Sequence, residues 1–388
     1  MKKIGCVIAY RKGHTNYGTT LVGYALVKKL EQLGFCVEVI NYIKTLSLKQ
    51  KLSFILNAIR SGEFKSLFAI VYGKWILKRN PLYAKHIEER TEAVETYKEK
   101  KIIPLFRTFV GYEALHKGSK EYDSIIVGSD QVWTPMSLPN KFFNLLFVDD
   151  SVRKIAYASS FGVSVIPDFQ KKATGLYLDR FYKIGVREQR GKEIVDSLSH
   201  QIAQVVADPT MLLSADEWRK EINVKQNSKN EPYIFCYFLG TNRESRIAAN
   251  KLKAKTGYKI IALRHMDEYI PEDDFFGDDA PYYVDPNDFL RLIYNATYVC
   301  TDSFHCTAFS IQFHKKFMTF YRFAKGSLTG RNSRIDSLFN TLNISKDHIY
   351  IDDIEKIDEP IDWQKIDENL SELRDNSIAF LKDSLNGL

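Results

Sequence analysis

The chain has 388 residues, 45% of them hydrophobic and 27% charged, a composition that can fill two hydrophobic cores and excludes a disordered chain. Its net charge of +7 is matched by residues 44–80 alone, where Lys44, Lys49, Lys51, Arg60, Lys65, Lys74, Lys78 and Arg79 stand against the single acid Glu63. The remainder is balanced, so nucleic-acid binding is not expected, and no run approaches the roughly 18 apolar residues of a membrane span.

The start, MKKIGCVIAYRKG, runs into a strand-like segment without the apolar region and cleavage site of a secretory signal, and reads as cytoplasmic. The five cysteines include no C-x-x-C pair and are odd in number, so they read as buried reduced thiols. IGCVIAY predicts the first strand. The turn RKGHTNYG follows, and TTLVGYALVKKLEQLG repeats apolar residues at helical spacing until Gly34. FCVEVINY is the second strand. Residues 44–118, rich in lysine and aromatics, break the alternation and read as a helical insertion.

Strands resume at YDSIIVG, RKIAYASSFG, RFYKIGVRE and IAQVVAD, with helical patterns at 168–181 and 189–199. ADPTMLLSADEW carries Pro209 and a Ser-x-x-Glu cap at 214–217, and is expected to be a domain junction. Beyond it EPYIFCYFLG, YKIIALRH, ATYVCTD and KFMTFYRF are strands, with helices near 242–256, 286–295, 303–313 and 331–342 and one amphipathic tail helix. Strands separated by helices imply parallel sheets covered on both faces. The expected fold is α/β: two Rossmann-like domains, 1–212 and 213–388, facing a cleft, with the helical insertion in the first.

Several strand ends carry candidate chemistry, because ligands of open α/β sheets bind beyond the carboxyl ends of strands. In TDSFHCTAFSI, residues 301–311, Ser303 is placed to cap a helix and His305 is its second residue. Free N–H groups there favour an anion, with His305 and Thr307 as further donors. The alternative is a histidine that only bonds the preceding loop. In KIGVREQRG, Arg187 can clamp a carboxylate or phosphate bidentately, or pair with Glu188 at the surface. In VGSDQVWTP, Ser129 and Asp130 either bind a hydroxyl or cap the next turn. HTNYGTT, with Asn16, Tyr17 and Gly18, is a weaker candidate for wrapping a ligand, because it is not a G-x-G-x-x-G loop. His265, Cys300, His305 and Cys306 match no metal-site spacing, and no metal is expected.

Together, NYGTTLVGYAL, YDSIIVGSDQVW, YASSFG, VREQRG, ADPTMLL, TDSFHCTAFSI and RNSRIDSLFNTL resemble the bacterial polysaccharide pyruvyl transferases, in the family's order and over nearly the whole chain. The resemblance implies a GT-B-like fold and transfer of pyruvate from phosphoenolpyruvate, as a ketal across two sugar hydroxyls, with release of phosphate. No other cofactor is implied. The acceptor would be a capsular or exopolysaccharide precursor, expected to be linked to a lipid diphosphate. His305, Arg187 and Asp130 would be catalytic, and Arg187, Ser303, His305 and Thr307 would hold the donor. Asn16, Tyr17, Gly18, Ser129 and Asp130 would face the acceptor. One departure concerns the residues before the histidine, where many members carry a basic residue and this chain has Ser303-Phe304. Lys325, Arg331 or Arg334 would then supply the charge, or the donor differs. The competing expectations are a GT-B glycosyltransferase using a nucleotide sugar, and a non-catalytic sugar- or anion-binding subunit. The basic and aromatic segment 44–80 suggests peripheral contact with the inner membrane face, or else a helix packed on the protein with its lysines in water.

Overall fold

A computed structural model of the chain describes residues 2–387 apart from 46–51, 53, 54, 57, 58, 61–71, 74, 78, 225–230, 267, 268 and 323–331. Among the described residues, eleven strands fall into two sheets. The first contains β1 (Lys3–Val7), β2 (Cys36–Ile43), β3 (Phe106–Val110), β4 (Ser124–Val127), β5 (Arg153–Ser159), β6 (Lys183–Val186) and β7 (Ala203–Val205), in the order β3-β2-β1-β4-β5-β6-β7. The second contains β8 (Tyr233–Tyr237), β9 (Lys259–Ala262), β10 (Tyr298–Thr301) and β11 (Lys316–Thr319), in the order β11-β10-β8-β9. Every pairing is parallel. The central strands are short apolar runs buried on both faces, such as SIIV and YVCT, as expected where helices cover both sides of a parallel sheet.

The covering helices in the first half are α1 (Tyr17–Gln32), α2 (Pro81–Lys101), α3 (Tyr112–Ser119), α4 (Asp168–Leu178), α5 (Gln189–Leu198), α6 (Pro209–Leu212) and α7 (Ala215–Glu221). Those in the second are α8 (Arg243–Thr256), α9 (Pro286–Asn295), α10 (Phe304–Gln312), α11 (Ser333–Leu342) and α12 (Trp363–Leu385). As expected, the fold is α/β, with two Rossmann-like units of parallel strands facing each other across a cleft.

Four expectations need correction. The insertion read over 44–118 is too long, because Phe106–Val110 pairs in parallel with β2 as the edge strand β3. An edge strand is covered on fewer sides, and here the adjacent Arg107 and Thr108 are both exposed, which breaks the alternation that would mark a strand. Much of 44–80 lies outside the described residues. Cys36 is exposed at the start of β2, while the other four cysteines are buried. The ADPTMLLSADEW segment, expected to be a domain junction, is part of the core that both units share. Its capping box forms between Ser214 and Glu217, but Asp208, Pro209, Thr210, Met211, Leu212 and Trp218 are buried. The Trp218 indole N–H donates to Thr210 O at 2.9 Å. Finally, α12 is shared between the two units rather than confined to the second. Ile366 and Leu370 pack with the second unit, whereas Phe380, Leu381 and Leu385 pack under the first sheet beside Tyr157 and Val206.

The two units share a core. Tyr17, Leu21, Tyr24 and Ala25 of α1 belong to the same apolar cluster as Phe289, Ile293 and Phe309. Tyr17 stacks on Phe289 with ring centroids 4.7 Å apart, and its hydroxyl donates to Val284 O at 2.9 Å. Arg90 of α2, also buried, donates to Tyr282 O at 2.7 Å and Pro281 O at 2.9 Å. Burial of an aromatic pair and saturation of a guanidinium by carbonyls resist sliding, so the cleft has a defined width.

Candidate active site

Because all strands are parallel, the carboxyl ends of β1, β4, β6 and β7 open on one edge of the first sheet, and β10 opens toward them from the second. The residue following β6 is Arg187. Asp130 and Asp208 each lie three residues beyond their strands, and Ser303 and His305 begin α10.

Asp208 is the hub, and it is fully buried. One carboxylate oxygen, Oδ1, accepts from Thr210 N at 3.0 Å and Thr210 Oγ1 at 2.7 Å, which caps α6 ahead of Pro209. The other, Oδ2, accepts from Arg187 Nη1 at 2.9 Å and from Ser129 Oγ at 3.3 Å, and lies 3.5 Å from His305 Nε2. Burial alone would raise its pKa. His305 and Arg187 outweigh burial and hold the carboxyl far below its ordinary range. Asp208, within ADPTMLL, is not among the site residues expected from the sequence. The available signal was its position just past a predicted parallel strand and before Pro at a helix start.

Arg187 is not the surface partner of Glu188. Both are buried, with Nε of Arg187 at 3.7 Å from Glu188 Oε2 and Nη2 at 3.9 Å from Asp130 Oδ1. Burial opposes the guanidinium charge, but Asp208, Glu188 and Asp130 raise its pKa above the ordinary value. Nε and Nη2 are buried and make no hydrogen bond among the described residues. A buried donor without an acceptor is destabilising, so these atoms are poised for a ligand's oxygens.

His305 is the second residue of α10, as expected, and Ser303 caps that helix by accepting from Cys306 N at 3.4 Å. Its ring sits directly against Gly18, where an added Cβ would lie 2.1 Å from Nδ1. Gly18 therefore admits the imidazole rather than an acceptor. Tyr17, also expected to face the acceptor, is an inter-unit packing residue. Thr307 is turned away from the cleft, with Oγ1 donating to Ser303 O at 3.0 Å and lying 3.0 Å from Thr319 Oγ1. A helical residue four after the cap points back along its own turn, so its hydroxyl meets the Ser303 carbonyl. Ser129 is buried and serves Asp208. Asn16 caps α1 by accepting from Thr19 N at 3.1 Å, and it lines the cleft.

Asp130 has φ of 84°, a left-handed conformation that short polar side chains tolerate at some cost and that recurs at functional sites. Its Oδ2 accepts from Thr19 Oγ1 at 2.6 Å and its Oδ1 from Gln131 N at 2.9 Å. Against the effect of burial, Arg187, His305 and these two donors keep the carboxyl ionised below its ordinary value.

These groups border a cavity of about 270 Å³ whose walls include His305, Ser303, Asp130, Arg322 and Arg334. Arg322, missed in the sequence, donates to Asp302 O at 3.1 Å. Arg334 and Arg187 both approach the Phe304 ring, with centroid distances of 5.8 and 4.9 Å. Burial, Arg187 and Arg322 push Arg334 down to about 9, with Glu188 and Asp130 opposing. Arg322 and Arg334 line the same cavity as His305, while Lys325 and Arg331 lie outside the described residues. Two guanidiniums, an imidazole and a helix start line this pocket, with the Arg187 guanidinium buried behind it beside Asp130, a setting for an anion of more than one charge.

Residues 16–322 match the sequence pattern of the polysaccharide pyruvyl transferase family. The chain belongs to that family. The match covers the Gly18, Asp130, Arg187, Asp208 and His305 segments and ends at Arg322. No protein of curated function matches the sequence. Among solved structures, the chain is similar to UDP-GlcNAc 2-epimerase from Neisseria meningitidis bound to UDP-GlcNAc, at TM-score 0.49 and 8% identity, covering 99% of this chain and 94% of that one. It is also similar to UDP-GlcNAc 2-epimerase from Methanocaldococcus jannaschii, at TM-score 0.47 and 11% identity over 92% and 90% of the chains. A third is Arabidopsis thaliana UGT89C1 complexed with UDP-L-rhamnose, at TM-score 0.46 and 10% identity over 97% and 99%.

Proposed function

We propose that this family member transfers pyruvate from phosphoenolpyruvate to two hydroxyls of a sugar, forming a ketal and releasing phosphate. The observation that carries the donor assignment is the set of Arg322, Arg334 and His305 around one cavity, with Arg187 buried behind it beside Asp130, since phosphoenolpyruvate bears a carboxylate and a phosphate on the same carbon. Arg187 Nε and Nη2 would grip one of these groups and Arg334 the other. A proton, from His305 in this scheme, adds to the methylene carbon of phosphoenolpyruvate. The resulting cationic carbon is attacked by a sugar hydroxyl, whose proton passes to Asp130. Phosphate then leaves with the C–O bonding pair, and the second hydroxyl adds to the same carbon and loses its proton. The sum of these steps is one ketal and one phosphate, and positioned acid–base groups of this kind contribute roughly 100- to 10,000-fold each in rate.

The test is phosphate release from phosphoenolpyruvate in the presence of a panel of glycosides, with mass spectrometry of the glycan. A gain of one pyruvate ketal is expected. Arg187→Lys should lose nearly as much activity as Arg187→Ala, because a point charge cannot replace a fork, and the apparent donor constant should rise more than the acceptor constant. No phosphate release together with tight binding of a nucleoside diphosphate would replace this reading with nucleotide-sugar transfer.

We further propose that the acceptor is linked to a lipid diphosphate and that residues 44–80 rest on the membrane surface. Among the described residues of that segment, Ile55, Leu56, Ile59 and Trp75 are half exposed, with Arg60 and Arg79 exposed near them. Arg79 stacks over Trp75 at 3.8 Å. Each basic residue held near anionic lipid contributes about 1 kcal/mol. Co-sedimentation with anionic vesicles is expected at low salt and should weaken with added salt and in Trp75→Ala/Arg79→Ala. Absence of binding at low salt would refute surface contact.

A further inference from the structure

A second, larger pocket of about 550 Å³ adjoins the anion cavity, and the two share Ala9, His14, Thr19, Asp130 and Phe143. It lies past the carboxyl ends of β1 and β2. Its walls carry the aromatic rings of Tyr10, Tyr42, Phe106 and Phe142. Tyr10 meets Phe106 edge to face at 4.8 Å, and Tyr42 meets Phe142 at 5.5 Å, so the rings form braced platforms rather than loose side chains. Flat apolar faces with a few polar groups between them suit the C–H faces and hydroxyls of sugar rings. Asn140 Oδ1, on the same wall, is buried with no donor among the described residues, and a hydroxyl would supply one.

The pocket also carries charge. Arg11 and Lys44 both line it, and neither forms an ion pair with the described residues. Partial burial, and after it the Arg11 charge, pull the Lys44 ammonium below its ordinary value. The Arg11 end is fastened by Lys98 of α2, whose buried ammonium donates to His14 O at 2.6 Å and Arg11 O at 3.4 Å. Two cations held near each other at the mouth of an aromatic pocket are complementary to an anionic group on the molecule filling it.

We propose that this pocket is the saccharide subsite and that it selects a saccharide bearing an anionic group, held by Arg11 and Lys44, with the reacting hydroxyls directed at Asp130. The sugar assignment rests on the pyruvyl transfer proposed above. The anion selectivity rests on the pocket alone. The anionic group is either a diphosphate at the glycosidic linkage or a carboxylate on a sugar ring.

Calorimetric binding, without donor, distinguishes these sources. The probes are methyl glycosides of galactose, glucose, mannose and their N-acetylamino forms, each compared with its alkyl diphosphate and with its uronide. At least one anionic series should bind about tenfold tighter than its neutral counterpart, the change expected for one charge-assisted bond. Arg11→Ala/Lys44→Ala should erase that advantage and leave the neutral glycoside and phosphoenolpyruvate affinities unchanged. A preference for the diphosphate series points to the linkage, and one for the uronides to the ring. Failure of every probe to bind, or an advantage that survives the double variant, overturns the proposal. Pyruvyl transfer fails separately, by anionic-probe binding without phosphate release. Turnover of neutral and anionic acceptors with equal constants sinks the anion selectivity and leaves pyruvyl transfer standing.

Discussion

Replacing Asp208 is expected to have the largest effect of any single substitution in this chain. Asp208→Ala removes the carboxylate that joins Arg187, Ser129, Thr210 and the His305 ring, leaving a buried guanidinium short of its closest counter-charge. Breaking a buried pair from one side costs about 3–5 kcal/mol. Asp208→Asn keeps an oxygen for Thr210 but removes the charge, so it should retain more stability while losing as much donor binding. Chemical denaturation and the donor constant of both variants measure the two effects separately. Wild-type stability together with a wild-type donor constant in Asp208→Ala would show that Arg187 and His305 hold their positions without it. The pH dependence follows the same charge. The folded-state pKa is depressed, so the stabilisation is complete above the unfolded value of about 4 and is lost only as pH falls toward the much lower folded value. The variants should therefore differ from wild type in stability at neutral pH and converge with it in strong acid.

The second large effect concerns His305, approached from two sides. His305→Ala is expected to reduce turnover by roughly a hundredfold or more, the typical loss when a positioned donor is taken from a developing charge. The fold should survive, because α10 is anchored by Phe304, Ala308, Phe309 and Ile311 in the core. Gly18→Ala attacks the same ring without touching it chemically. Its Cβ would lie 2.1 Å from Nδ1, a distance no real contact sustains, so the imidazole must move. The expected result is loss of turnover close to that of His305→Ala. Since α1 already has a helical backbone at this position, alanine adds no backbone strain there. Adding Gly18→Ala to His305→Ala should then change little, since alanine at 305 vacates the space. Equal activity of Gly18→Ala and wild type would remove ring placement from the mechanism.

Local patterns determined much of this molecule. The alternation of short apolar runs with helical periodicity was enough to read ten of the eleven strands, because period and length are properties of contiguous residues. The same logic placed Ser303 at a helix cap and His305 in the first turn, and it put Arg187 and Asp130 just beyond strands. Only the tertiary structure decided what those residues meet. Asp208 was visible as a cap before Pro209, but its bond to Arg187 and its approach to His305 join three strand ends that sequence proximity does not connect. Tyr17 and Thr307 looked like ligand residues because polar atoms at helix starts often are. Packing turned one into the other unit's core and satisfied the other with a carbonyl. Gly18 read as part of a turn that wraps a ligand, and only the ring lying over it showed that the missing Cβ makes room for His305. Strand β3 escaped for the converse reason: an edge strand is defined by its one neighbour, and β2 lies far from it in the chain. Periodicity is written into consecutive residues by backbone geometry, whereas a site is assembled from residues whose adjacency exists only after the sheets close.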